Sequence, residues 1–342
     1  MINITEKEIM KNWQGDISEP VVSICCITYN HEKYIEETID SFLMQETDFP
    51  FEIVIGEDCS IDNTAKIVKI YSNKYPNIIK ATIRTQNAGG MGKNNFIETL
   101  FTCQGEYIAI CEGDDYWTDK KKLQIQIDEM RKYSNISLSF HLSSTINNLN
   151  IQIQPKLQKR NRFYSVEEII TDDFHLVQTN TIVFKKEKIR SLDFDLFSKS
   201  SVGDVWLRIN AAIPNGALFI NKTMSTYRIQ SESSWSSSLH EEKKFIKFVE
   251  EMMKSIESFD KYWGFKYTKA FFIYKNMYID VVMKRNINQV LKNDFINKYR
   301  DLMSINNIVK WNMLYKYPKF VDFLKLLKNT IKGIFYVKTN NK

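Results

Sequence analysis

The chain of 342 residues predicts an α/β fold: a Rossmann-like, mostly parallel central sheet with helices on both faces, followed by a helical C-terminal extension. Three observations predict it. Short apolar runs rich in β-branched residues alternate with segments of helical period through the first third of the chain. Each run ends in a polar cluster, the place where ligands collect on a parallel sheet. From Glu241 onward the apolar period is helical throughout. Strands that alternate with helices of this length imply crossover connections, and hence a sheet covered on both faces.

The elements follow in order. "VVSICCIT" (21–28) reads as a strand, and Tyr34, Ile35, Thr38, Ile39, Phe42 and Leu43 then recur at helical spacing. "FEIVIGED" (51–58) is the next strand, with a helix over "IDNTAKIVKIYSNKY". "IIKATIRT" (78–85) is the third, with a helix over "GKNNFIETLFTC" before the strand "EYIAICE". Past about residue 135 the alternation loosens. "ISLSFHLSST" and "VQTNTIVFKK" read as strands, "YSVEEII" carries a Ser165 to Glu168 capping box, and "SVGDVWLRINAAI" reads as a helix entered from a loop. Phe245, Phe248, Val249, Met252, Ile256 and Phe259 then form one helical stripe. The break at "SESSWSSS" places a boundary between 1–238 and 239–342.

Composition narrows the function. With 43% hydrophobic and 26% charged residues the chain can bury a sizeable core. The first residues lack the apolar run of a signal peptide, and no stretch reaches the roughly 18 apolar residues of a spanning helix. The expectation is a cytoplasmic protein, at most peripheral at the inner face of the plasma membrane. Five cysteines without a C-x-x-C pair read as reduced, mostly buried thiols. From Lys310 to the end there are eight lysines and one acid, +7, so the net charge of +6 leaves the rest of the chain at −1. A neutral body excludes a nucleic-acid groove and leaves a basic tail with its own task. On residues 319–337 one face gathers Phe320, Phe323, Leu324, Leu327, Ile331, Ile334 and Phe335, flanked by Lys325, Lys328 and Lys332. That pattern suits an anionic membrane surface, or packing on the preceding helices or on another subunit of an oligomer.

The chemistry concentrates in "YIAICEGDDYW" (107–117), where an apolar strand runs into Glu112, Asp114 and Asp115. Carboxylates at one strand end repel each other unless a cation sits between them. A hard divalent ion, Mg²⁺ or Mn²⁺, held by one or two carboxylates completes its shell with diphosphate oxygens. The alternative is that Asp114 and Asp115 cap a helix beginning near Thr118. Tyr116 and Trp117 suit either a wall for a sugar or a staple between helix and sheet.

Read together, "VSICCITYNHEKYIEETIDSFLMQ", "FEIVIGEDCSIDNT", "RTQNAGGMGKNN" and "YIAICEGDDYW" resemble the nucleotide-sugar-binding half of family 2 glycosyltransferases, which have the GT-A fold. The resemblance covers residues 20–130 strongly and 160–235 more weakly. It implies that Thr28, Tyr29 and Asn30 lie along the nucleotide base and that Asp58 accepts from the uracil N3–H. It implies that Arg84, Asn87 and the glycines up to Gly92 form the loop closing on base and ribose. Glu112 and Gly113 would lie at the ribose and diphosphate, Asp114 would hold the metal, and Asp115 would lie toward donor sugar or acceptor. Asp204, in "SVGDVWLRI", resembles the family's catalytic base, with helix capping as its alternative role and Asp115 as the next candidate for the base. Cys59 stands where the family usually has Gly, and Gln230 where it often has a metal-binding His; His31 and His141 read as structural.

The reaction so implied is inverting transfer of a sugar, from a UDP-sugar as expected donor, to a glycan or lipid-linked acceptor in bacterial surface polysaccharide synthesis. A sugar nucleotidyltransferase would need a Gly-rich basic loop after the first strand, which "CCITYNHEKYI" lacks. A degenerate protein that binds nucleotide sugar without turnover is the other alternative.

Overall fold

The computed structural model describes residues 3–147, 149, 151–156, 162–172, 176–200, 202–229 and 239–316. Four parallel strands form its first half: β1 (Val22–Thr28), β2 (Phe51–Glu57), β3 (Ile79–Ile83) and β4 (Tyr107–Ile110), in the order β3-β2-β1-β4. β1, β2 and β4 are almost wholly buried, as continuous apolar runs in a two-sided sheet must be. The helices Ile35–Leu43, Thr64–Lys74 and Lys93–Thr102 supply the crossovers at the predicted places. Ile35, Ile39, Phe42, Val68 and Tyr71 join Ile24, Ile53, Ile55 and Ala109 in one core.

The second half extends the sheet through β5 (Tyr116–Trp117), β6 (Leu138–Ile146), β7 (Gln152–Ile153), β8 (Arg162–Tyr164), β9 (Val183–Lys185) and β10 (Ala217–Arg228). The path continues β4-β9-β6-β10-β5, with β7 on β6 and β8 on β10. β9 runs antiparallel to both β4 and β6, whereas β10 runs parallel to β6. β6 and β10 therefore point the same way as β1 to β4, and all their carboxyl ends meet at one edge. β5, antiparallel to β10, brings the acidic turn to that edge.

"VQTNTIVFKK" corrects the sequence reading. Only Val183–Lys185 is a strand, and Thr179–Thr181 is a 3-10 turn. Its buried Asn180 is committed to other elements, accepting from the Trp117 indole N–H at its carbonyl and from Ser225 Oγ at Oδ1. Those bonds replace the ladder partners a longer strand would need. The predicted capping box is present, with Ser165 and Glu168 exchanging bonds at the start of Val166–Ile170.

The chain divides into two compact units, 1–270 and 271–342. The first includes the helix Glu242–Tyr262, whose stripe Phe245, Val249, Met252, Ile256 and Phe259 is buried, Phe259 stacking on Trp206 at 4.2 Å. In the second unit Asn276 bonds Leu302 O, the Ser304 N–H and Asn307, and Asp280 pairs with Lys284 and Lys310. No described helix is long and apolar enough to cross a membrane. The amphipathic pattern of 319–337 lies outside the described residues.

Candidate active site

Thr28 ends β1 and is buried; its Oγ1 lies 3.2 Å from His31 Nδ1. Tyr29 is 38% exposed, and Asn30 turns the chain at φ 55° with its Oδ1 accepting the Ile61 N–H. A β-carbon on Gly113 would meet Thr28 Oγ1 at 2.6 Å, so this glycine is required by close approach of β1 itself. Asp58, at the end of β2, is buried, and its Oδ1 accepts the Ala88 N–H at 2.7 Å while Asn87 Nδ2 donates to its carbonyl. Asp58 thus anchors the loop that carries Asn87 and Gly92. Arg84 pairs with Glu98 at 2.6 Å and donates to Asn95 Oδ1, 3.8 Å from Asp58. Gly89, Gly90 and Gly92 have φ of 74°, 64° and 85°, a left-handed path that explains the glycine-rich sequence. Cys59 takes φ 61° without being glycine, so the chain keeps there the backbone that a glycine would hold without strain.

The acidic turn is built differently from a helix cap. The following helix begins at Lys122, and its entry is bonded by Asp119, so Asp114 and Asp115 do not cap it. Asp115 is 1% exposed, and its Oδ1 accepts the Arg228 N–H at 2.8 Å. Burial, reinforced by the charge of Asp114, pushes its carboxyl well above the usual carboxylate range. Asp114 is also buried. Glu112 remains partly exposed, and loss of water together with the charges of Asp114 and Asp204 pushes its pKa up to about 8. Tyr227 feels all four acids, and with burial they raise its phenol pKa. Trp117 is a staple, packed on Phe42 at 4.8 Å, while Tyr116 lies under the Arg228 guanidinium at 4.6 Å.

Asp204 sits in the first turn of the helix Gly203–Ala212, whose N-cap is Val202 without a side-chain bond. Its carboxylate is partly exposed and accepts from Thr179 Oγ1 at 3.0 Å. Its alternative role as helix cap is therefore set aside. Asp172 is buried against Arg208 at 3.1 Å and accepts from the Leu176 and Val177 N–H groups. Asp173 and Gln230 lie outside the described residues; His240 is exposed.

Residues 23–191 match the family described as Glycosyl transferase family 2. The chain belongs to that family. A Mycobacterium tuberculosis protein, Rv1520, is 33% identical over 226 residues, 66% of this chain and 63% of that protein, so the match leaves over a third of the relative uncovered. The structure of Staphylococcus aureus TarS 1–349 with UDP-GlcNAc superposes with a TM-score of 0.61 at 19% identity, covering 84% of this chain and 82% of that one. TarS is a poly(ribitol-phosphate) β-N-acetylglucosaminyltransferase, 41% identical over 97 residues, 28% of this chain and 16% of its own. The mannosyltransferase PcManGT from Pyrobaculum calidifontis, with GDP-Man and Mn²⁺, gives a TM-score of 0.53 at 12% identity over 96% of this chain and 90% of that one. The fold is that of these GT-A glycosyltransferases.

A family 2 glycosyltransferase reading raises the question of a divalent ion. Among the described residues no three His, Cys, Asp or Glu side chains converge closely enough to hold one unaided. Burial first, and then the charges of Asp114 and Asp204, hold back ionisation of Glu112, and a cation beside these acids would favour its carboxylate. Their donor set fits an ion that takes one or two carboxylates here and its remaining oxygens from a diphosphate. Sequence reasoning missed Arg228, Tyr227, Thr179 and the proximity of His31, which lies 3.0 Å from where a Gly113 β-carbon would sit. The order "STYR" places Arg228 and Tyr227 at a strand end, and that was the available signal.

Proposed function

We propose that this chain is an inverting glycosyltransferase moving a sugar from a nucleoside-diphosphate donor, a UDP-sugar, to a hydroxyl of a glycan or lipid-linked acceptor of a bacterial surface polysaccharide, in the cytoplasm or at the inner face of its membrane. The observation that carries the reading is Asp204: a partly exposed carboxylate, uninvolved in capping, whose charge acts on Glu112 across the acidic turn. Thr28, Tyr29, Asn30, Asp58, Arg84, Asn87 and Gly92 are assigned to the nucleoside, Glu112 and Gly113 to the ribose and diphosphate, and Asp114 to a divalent ion. Asp115, buried and bonded to Arg228, is assigned to holding the turn. UDP specificity follows from an acceptor-only carboxylate at Asp58, which suits a base edge that donates.

The acceptor hydroxyl gives its proton to Asp204 as its oxygen attacks the anomeric carbon, while the bond from that carbon to the diphosphate oxygen breaks and the nucleoside diphosphate leaves with the electron pair. Mg²⁺ or Mn²⁺, when bound, stabilises the charge growing on the leaving diphosphate. Release of nucleoside diphosphate from a panel of nucleotide sugars, with Mn²⁺ and with excess chelator, tests the assignment. Turnover should stop in chelator and in Asp114→Ala, and fall by roughly 100-fold or more in Asp204→Asn with UDP binding kept. Binding without release in any donor would mark a non-catalytic binder, and full activity in chelator would remove the metal from the scheme.

A further inference from the structure

We infer that Thr179 is a positioning residue for Asp204, and that the 3-10 turn carrying it fixes the base in register with the acidic turn. The inference rests on the reading of Asp204 as the base. Thr179 Oγ1 donates to Asp204 Oδ2 at 3.0 Å. The helix that bears Asp204 offers no side-chain cap of its own at Val202, so this bond is a contact from outside the helix that orients the carboxylate. With Oδ2 engaged, Oδ1 is the oxygen left to take the acceptor proton.

Thr179 can serve this purpose because its turn is held from three sides. Trp117 Nε1 donates to Asn180 O at 3.0 Å, Ser225 Oγ to Asn180 Oδ1 at 3.2 Å, and Gln126 Nε2 to Thr181 O at 3.0 Å. Trp117 is buried and follows Asp115 by two residues. A covalent and hydrogen-bonded path thus runs from the acidic turn through Trp117 and Asn180 to Thr179 and Asp204. A general base works only within hydrogen-bond reach of its proton, and a displacement of about 1 Å can cost roughly 100-fold in rate. The path sets that distance from the same turn that carries Asp114.

The experiment compares full-length wild type, Thr179→Val, Thr179→Ser and Asp204→Asn, using the nucleotide sugar that wild type turns over fastest. Thr179→Val should lower kcat by roughly 10- to 100-fold with donor KM and UDP binding within about 2-fold of wild type. Thr179→Ser should restore kcat to within about 3-fold, and Thr179→Val should cost nothing further in the Asp204→Asn background. A crystal structure of the Val variant, which needs no turnover, should show the Asp204 carboxylate rotated. An unchanged kcat in Thr179→Val, equal loss in Ser and Val, an additive loss beside Asp204→Asn, or an unmoved carboxylate would each overturn the inference while leaving the base in place. Full activity of Asp204→Asn would remove the base itself.

Discussion

Lys122 is the most unusual single residue away from the acids. It is fully buried at the start of its helix, its Nζ lies 4.0 Å above the Trp117 ring, and it has no hydrogen-bond partner among the described residues. Burial pulls its pKa down to about 7, against the ordinary 10.5. In the unfolded chain the amine takes its proton below the ordinary value, whereas in the folded chain it stays neutral down to about 7. Between those limits the unfolded state binds more protons, so this group makes stability fall as pH drops through that window and adds no slope below it. Lys122→Met should therefore raise the melting temperature at pH 7 by on the order of 5 °C, with the advantage shrinking toward pH 10. Melting curves of both proteins across pH 6 to 10 check this. A constant difference between them would mean that the amine is charged in the fold.

Strand β10 shows what an element adds beyond its own residues. Its last residue, Arg228, donates its backbone N–H to Asp115 and a guanidinium N–H to Asp114 O at 3.1 Å, pairs with Glu37, and lies over Tyr34 and Tyr116. Arg228→Met keeps the backbone bond and loses the rest. We expect it to lower stability by ~2 kcal/mol and to weaken UDP binding, because the acidic turn loses its support. Thermal melting and calorimetric titration measure the two effects, and unchanged UDP affinity would limit Arg228 to fold stability. The first four strands were legible because each strand, its polar end and the next helix are contiguous in sequence, so Thr28, Asp58 and Glu112 fall where the alternation puts them. Arg228 and Thr179 were not, because their roles arise from pairings across 114 and 25 residues, which no local period encodes. "VQTNTIVFKK" failed for the same reason: Asn180 answers to Trp117 and Ser225, and β-propensity does not register that. The buried pair of Asp172 and Arg208 escapes a local reading in the same way, its partners lying 36 residues apart.

At the scale of the whole molecule the distribution of charge matters more than its sum. Eight lysines against one acid after residue 309 leave the remainder near neutrality. We expect the full chain to float with vesicles containing anionic lipid at low salt and to lose most of that binding in roughly 0.5 M salt, where screening acts over a few ångströms. Removal of 316–342 should abolish flotation and leave nucleoside diphosphate release from a soluble donor within about 2-fold. Equal flotation with and without the segment would assign it to packing on the rest of the protein or on a second copy.

The bond between Asp115 and the Arg228 N–H has a consequence for synthesis. A nascent chain that has emerged as far as β4 and its acids already contains the four parallel strands, yet 113 residues must follow before Arg228 can engage the turn. Contacts of such separation form late. While still on the ribosome the protein would thus hold its first four strands and an acidic turn without its brace, and a polypeptide released early would carry the acids without the strand that sets them.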